Sequence, residues 1–87
     1  MKWVFTKHAQ ERLGLRKISV KKVLDVIKSY DIKAIEEENK IAYYKKETEE
    51  LSLKVVVFED KEIVRIITVH RIETKRLKNI KNLIEIV

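Results

Sequence analysis

Apolar positions recur at two spacings along this chain, and the switch between them divides it into elements. Residues 2–5 form a short apolar run, read as an edge strand or a lead-in. Thr6 follows as a helix N-cap, Ala9 and Leu13 share a face at i,i+4, and Gly14 stands where a helix C′ residue belongs. That pattern predicts a short helix over about 7–13. Ser19 is the clearest N-cap of the chain, with Ile18 and Val23 placed as a hydrophobic staple around it. Val20, Val23, Leu24, Ile27 and Tyr30 then recur at helical spacing, which predicts a second helix over about 20–30.

Beyond Tyr30 the spacing changes to that of strands. Residues 31–36 and 40–46 flank Glu37-Glu38-Asn39, a turn in which Asn39 tolerates a left-handed conformation. Residues 51–58 and 62–70 are rich in Val and Ile and are separated by Glu59-Asp60-Lys61. In the tail, Leu77, Ile80, Ile84 and Val87 fall at helical spacing, with Thr74 as a cap, so a C-terminal helix is predicted; Leu83 to Val87 also suits a strand. The expected architecture is therefore one α+β domain over residues 1–87. Two N-terminal helices pack on a four-stranded antiparallel sheet, and a C-terminal helix follows.

The last hairpin sorts its side chains by face. With Asp60-Lys61 as a two-residue turn, Phe58 faces Ile63 and Val56 faces Arg65. One face then carries Leu51, Leu53, Val55, Val57, Val64, Ile66, Thr68 and His70, which suits packing under the helices. The other sets Lys54, Arg65 and Arg71 among Val56, Phe58, Ile63, Ile67 and Val69. A half-apolar, half-basic face suits an RNA strand, because aliphatic and aromatic groups meet bases while cations meet phosphates. The structural alternative is that the C-terminal helix covers this face and Arg65 snorkels to its rim.

Composition narrows the chemistry. The 87 residues include no cysteine, which excludes disulfides, thiolate metal sites and cysteine nucleophiles. A single glycine excludes a Gly-rich phosphate loop. No apolar run approaches the roughly 20 residues of a membrane span, and the N-terminus does not read as a signal peptide, so a cytoplasmic protein is expected. The Lys-, Glu- and Ile-rich, Gln-poor content matches a thermophile signal. The net charge of +6 is uneven: residues 1–30 carry a net +6, residues 31–62 a net −4, and residues 63–87 a net +4. Two basic ends that meet in space would attract phosphate.

Two histidines are the chemical candidates. His8 and Arg12 stand at i,i+4 on the first helix and project together. In the first turn the helix dipole opposes protonation, so a neutral His8 can take the proton of a ribose 2′-hydroxyl while Arg12 grips the phosphate. The plainer alternative is a terminal histidine held by local hydrogen bonds. His70, in Thr68-Val69-His70-Arg71, is a second acid–base candidate or a half-buried polar residue at the sheet edge. Lys7, Lys54, Arg65 and Arg71 are the candidate RNA-binding cations. No metal or other cofactor is expected: two histidines lack nearby carboxylates, and Glu38-Asn39-Lys40 echoes the E-x-K of metal-dependent nucleases only in a Lys/Glu-rich turn. Trp3 and Phe5 read as core, and Glu47-Thr48-Glu49-Glu50 as a solvated loop.

His8-Ala9-Gln10-Glu11-Arg12-Leu13, then Ile18-Ser19 ahead of the helix from Val20 to Tyr30, then Thr68-Val69 closing a strand, form a recognisable series. It resembles the small HAxxR domains of domain-of-unknown-function family 4258, over residues 5 to about 71. That family is grouped by distant similarity with the barnase–EndoU–colicin–RelE fold of metal-independent ribonucleases. The resemblance implies a helical N-terminus packed on a four-stranded antiparallel sheet, and a toxin-like ribonuclease role within toxin–antitoxin systems. His8 and Arg12 match the motif pair, and Thr68 matches the closing strand. The tail after Arg71 extends past the usual pattern, as a partner-docking element or a lid.

The expected function is thus a RelE-like, toxin-type RNA-binding domain, a candidate metal-independent endoribonuclease. RNA is the expected partner, with an acidic antitoxin protein, or a second copy joined through the C-terminal helix, as protein partners. The alternatives are a non-catalytic nucleic-acid-binding module and a protein–protein interaction module.

Overall fold

The computed structural model describes residues 2–37 and 39–87. The chain runs β1 (Lys2–Phe5), α1 (Lys7–Arg16), α2 (Val20–Lys28), β2 (Ile32–Glu37), β3 (Lys40–Lys46), β4 (Leu51–Asp60), β5 (Ile63–Glu73), a 3-10 turn (Thr74–Asn79) and β6 (Leu83–Ile86). The α+β class is as expected. The sheet, however, has six strands in the order β1-β5-β4-β3-β2-β6, not four. It is also mixed: β1 runs parallel to β5 as an edge strand, and every other pairing is antiparallel. Asn39 adopts the left-handed conformation expected of its turn, at φ 62. Glu38, central to that turn and to the E-x-K triplet, lies outside the described residues.

Both helices begin where their caps predict. The Thr6 hydroxyl accepts from the Ala9 N–H at 3.1 Å, and the Ser19 hydroxyl from the Lys22 N–H at 3.1 Å. Helix α1 does not stop at Gly14, as the glycine suggests, but continues to Arg16. The left-handed residue that ends it is Lys17, at φ 52. The Lys17 N–H bonds the Gly14 carbonyl and the Ile18 N–H bonds the Leu13 carbonyl, while Leu13 and Ile18 are both buried in one core. These are the paired bonds and apolar contact of a Schellman motif, with Lys17 rather than glycine at its turning point.

Ala9 and Leu13 from α1, with Val23, Val26 and Ile27 from α2, pack on one face of the sheet against Leu53, Val55, Val57, Val64, Ile66 and Val69. Trp3 and Phe5 pack against this cluster, as expected of core aromatics. A second, smaller cluster lies on the opposite face: Ile32, Ala34, Ala42, Tyr44 and Val56, with Ile72, Leu77 and Ile80 packed against it.

The C-terminal helix is not formed. A 3-10 turn carries Leu77 and Ile80 onto the back cluster, Asn82 takes a left-handed φ of 58, and the chain then runs as β6 against β2. Helical spacing of four apolar residues loses to the strand preference of the closing β-branched pattern and to a free sheet edge that accepts it. No described helix is long and apolar enough to cross a membrane.

The β4–β5 register corrects the predicted faces. Asp60 pairs with Ile63 and Phe58 with Arg65, so the two-residue turn is Lys61-Glu62, which keeps the expected parity. Between the pairs Val57–Ile66 and Val56–Thr68 the register shifts by one residue, leaving Ile67 as a bulge. Beyond it every side chain changes face. Val69 turns into the helix-side core, fully buried, and Arg71 goes with it. Thr68, His70 and Ile72 turn to the back face, where Lys54 stands opposite His70. Thr68 and His70 were expected on the helix face, and Val69 and Arg71 on the other; all four are reversed.

Candidate functional site

The bulge and α1 are tied together at the open edge of β5. Strand β1 pairs with β5 only from Ile63 to Ile66. At Thr6 the chain leaves the sheet: its N–H bonds the Ile66 carbonyl at 3.1 Å and its hydroxyl donates to the Ile67 carbonyl at 3.3 Å. Ten residues further on, the Arg16 guanidinium donates to the Val69 carbonyl at 2.5 Å. The residue that caps α1 thus also binds the bulge, and the last residue of α1 grips the strand beyond it. In this way α1 is laid along the edge that β1 leaves free.

This placement brings His8, Arg12 and Arg16, one turn apart on α1, alongside the end of β5. The Arg12 Nε donates to the His8 Nε2 at 3.2 Å, so the expected pair does meet. That bond uses the lone pair that a His8 base would need, and the roles first assigned to the two residues compete. Among the described residues neither Arg12 nor Arg16 has a carboxylate partner, so both keep a full charge available to a ligand.

His70 lies at the centre of the arrangement. It is half-buried and its pKa is lowered from 6.5, first by burial and then by the charges of Lys54, Arg16 and Arg12, with Glu36 opposing. The imidazole is therefore neutral at pH 7, with a lone pair to offer. Two hollows meet at this ring. One, of ≈ 560 Å³, is lined by Arg16, His70 and Arg71. The other, of ≈ 400 Å³, lies on the back of the sheet under the 3-10 turn, where His70, Tyr44, Ile72, Arg76, Asn79 and Ile80 line it together with Lys54.

The candidate cations differ in how free they are. Lys54 is neutralised by Glu36, with Nζ 2.6 Å from a carboxylate oxygen, and lies 5.6 Å from the centre of the Tyr44 ring. Burial opposes its charge, but the bond to Glu36 and its neighbours outweigh that, and its pKa is raised. Arg71 bonds Glu47 at 3.0 Å and the Arg16 carbonyl at 2.8 Å, on the helix side rather than beside Lys54 as expected. Glu47 also pairs with Lys22 at 3.7 Å, so the acidic loop is partly an ion-pair partner and not only solvated. Arg65 is exposed on the same face as Lys54, and Lys7 is exposed in the first turn of α1; neither lines either hollow. Among the described residues no three His, Asp or Glu side chains converge as a metal-binding group.

Arg16 is the site residue that sequence reasoning missed. Its signal was the spacing His8-Arg12-Arg16, at i, i+4 and i+8, which ending the helix at Gly14 conceals. Arg76 and Asn79 were missed because the tail that carries them was read as a helix.

Residues 5–71 match the family model described as Domain of unknown function (DUF4258). The chain belongs to this family. No curated protein and no solved structure matches it. The DUF4258 span holds His8, Arg12, Arg16, Lys54, Arg65, His70 and Arg71, and it ends at the last of these. The 3-10 turn that roofs the back hollow lies outside the matched span.

Proposed function

We propose that this protein binds single-stranded RNA at the cationic end of β5 and cleaves it without a metal, as a RelE-like, toxin-type endoribonuclease held in check by a small acidic antitoxin. The observation that carries the reading is a neutral, half-buried His70 in one hollow with the uncompensated guanidinium of Arg16. A phosphate in that hollow is gripped by Arg16, with Arg12 adding charge from the same helix face. His70 removes the proton of the adjacent 2′-hydroxyl, and the 2′-oxygen attacks phosphorus. The 5′-oxygen departs and takes a proton from the imidazolium or from water. The products are a 2′,3′-cyclic phosphate and a free 5′-hydroxyl. The base is assigned to His70 rather than His8, whose Nε2 is spent on Arg12.

Labelled RNAs of varied sequence, incubated with the protein in EDTA, test this. Cyclic-phosphate ends are expected, with cleavage lowered at least ~100-fold in His70→Ala and less in His8→Ala. RNA left intact by correctly folded protein removes the enzyme reading. A second reading, a non-catalytic RNA-binding module, is favoured by the closed His8–Arg12 bond. It predicts salt-dependent binding without products, weakened by Arg16→Glu or Arg65→Glu.

A further inference from the structure

The back hollow differs from its neighbour in chemistry although His70 belongs to both. Of its two cations, Lys54 is paired with Glu36 at 2.6 Å, while Arg76 has no carboxylate partner among the described residues. Ile72 and Ile80 supply apolar wall, and the Tyr44 ring forms part of it. Asn79 and Arg76, both exposed, complete the lining. An amide offers a donor and an acceptor side by side, which suits the edge of a heterocycle, and a guanidinium plane stacks on one. At ≈ 400 Å³ the space exceeds that of a single planar base.

We propose that this hollow is a nucleobase subsite, which seats the base next to the phosphate held by Arg16 and His70. Asn79 reads the base edge, Arg76 covers its face, and Ile72 and Ile80 give it apolar contact. The inference rests on the RNA reading above and deepens it. Because His70 forms the shared wall, a nucleotide whose phosphate lies against Arg16 has its sugar at the ring and its base behind it. The segment that supplies Arg76, Asn79 and Ile80 lies beyond the matched residues 5–71, so base preference rests on the tail rather than on the matched span.

The test is amide-resolved NMR on the full chain with three probes: inorganic phosphate, ribose 5-phosphate and each of the four nucleoside 3′-monophosphates. All are expected to shift Arg16, His70 and Arg71. Only nucleotides are expected to shift Ile72, Asn79 and Ile80, and one base more strongly than the others. Asn79→Ala is expected to weaken the preferred nucleotide about 5-fold or more and to leave ribose 5-phosphate within about twofold. Nucleotides that move no more amides than ribose 5-phosphate overturn the subsite while phosphate binding stands. So does an Asn79→Ala variant that binds all probes like the parent. If no probe shifts Arg16 or His70, the RNA reading falls and the subsite with it. Base-dependent shifts in a protein that leaves RNA uncut uphold the subsite and remove only the cleavage.

Discussion

Burial does more than any single charge to keep the His70 imidazole neutral, and Lys54, Arg16 and Arg12 add to it. The consequence can be measured in two ways. If His70 is the base, cleavage rises with pH through a midpoint below 6.5. Folding stability carries the same sign. Below 6.5 the unfolded chain takes up a proton that the folded chain resists, so stability falls as pH falls through the folded midpoint. An NMR titration of the imidazole is expected to give a midpoint under 6.5, moved upward by Arg16→Gln, which removes one repelling charge. A midpoint above 6.5 would show that the ring is not held as described. The residues involved were only partly legible beforehand. His8, Arg12 and His70 stood out as residue types, but which histidine faces which cation depends on the bulge at Ile67, which meets Thr6 across 61 positions of sequence.

At the scale of elements, caps and alternation were readable, while the interruptions of each were not. Ser19, Thr6 and Asn39 behave as their local chemistry dictates, because each effect is confined to a few neighbouring residues. The bulge did leave a trace: strict alternation would have put polar Thr68 and His70 into the helix-side core, and a one-residue slip puts Val69 there instead. Gly14 misled because glycine usually marks a helix end, whereas here Lys17 bears the left-handed turn and Gly14 is exposed mid-helix. A Cβ at Gly14 meets nothing within 4 Å. Gly14→Ala is therefore expected to stabilise the protein by about 0.5–1 kcal/mol in denaturant unfolding, by reducing the freedom of the unfolded chain. No gain, or a loss, would mean that the helix does not run through this position. Thr6→Val removes both the helix cap and the bond to the bulge, and a cost of about 1–2 kcal/mol is expected. A neutral result would separate the bulge from α1 and dissolve the link between the helix and the site.

On the scale of the whole molecule, the sheet has a large core on one face and a small one on the other, and the tail is what makes the second possible. Ile32, Ala34, Ala42, Tyr44 and Val56 would face water on the back of the sheet if Leu77 and Ile80 did not cover them. The tail escaped sequence reasoning because its value lies in surface created only once the strands have paired. Periodicity within residues 73–87 carries no record of that surface. Two substitutions separate what the tail covers from what covers the tail. Leu77 is half-buried against the back cluster, and Leu77→Ala is expected to cost about 1–2 kcal/mol. For a chain of this length that is a fall in Tm of about 4–16 °C. Ile86 on β6 is 63% exposed, and Ile86→Ala is expected to stay within about 0.5 kcal/mol. The contrast holds only if the outer side of β6 faces solvent. Should Ile86→Ala cost as much as Leu77→Ala, with a Tm that rises with protein concentration, another chain lies along that edge. The back hollow would then be roofed by a tail whose position depends on a partner, and base selection at Asn79 would respond to association as well as to RNA.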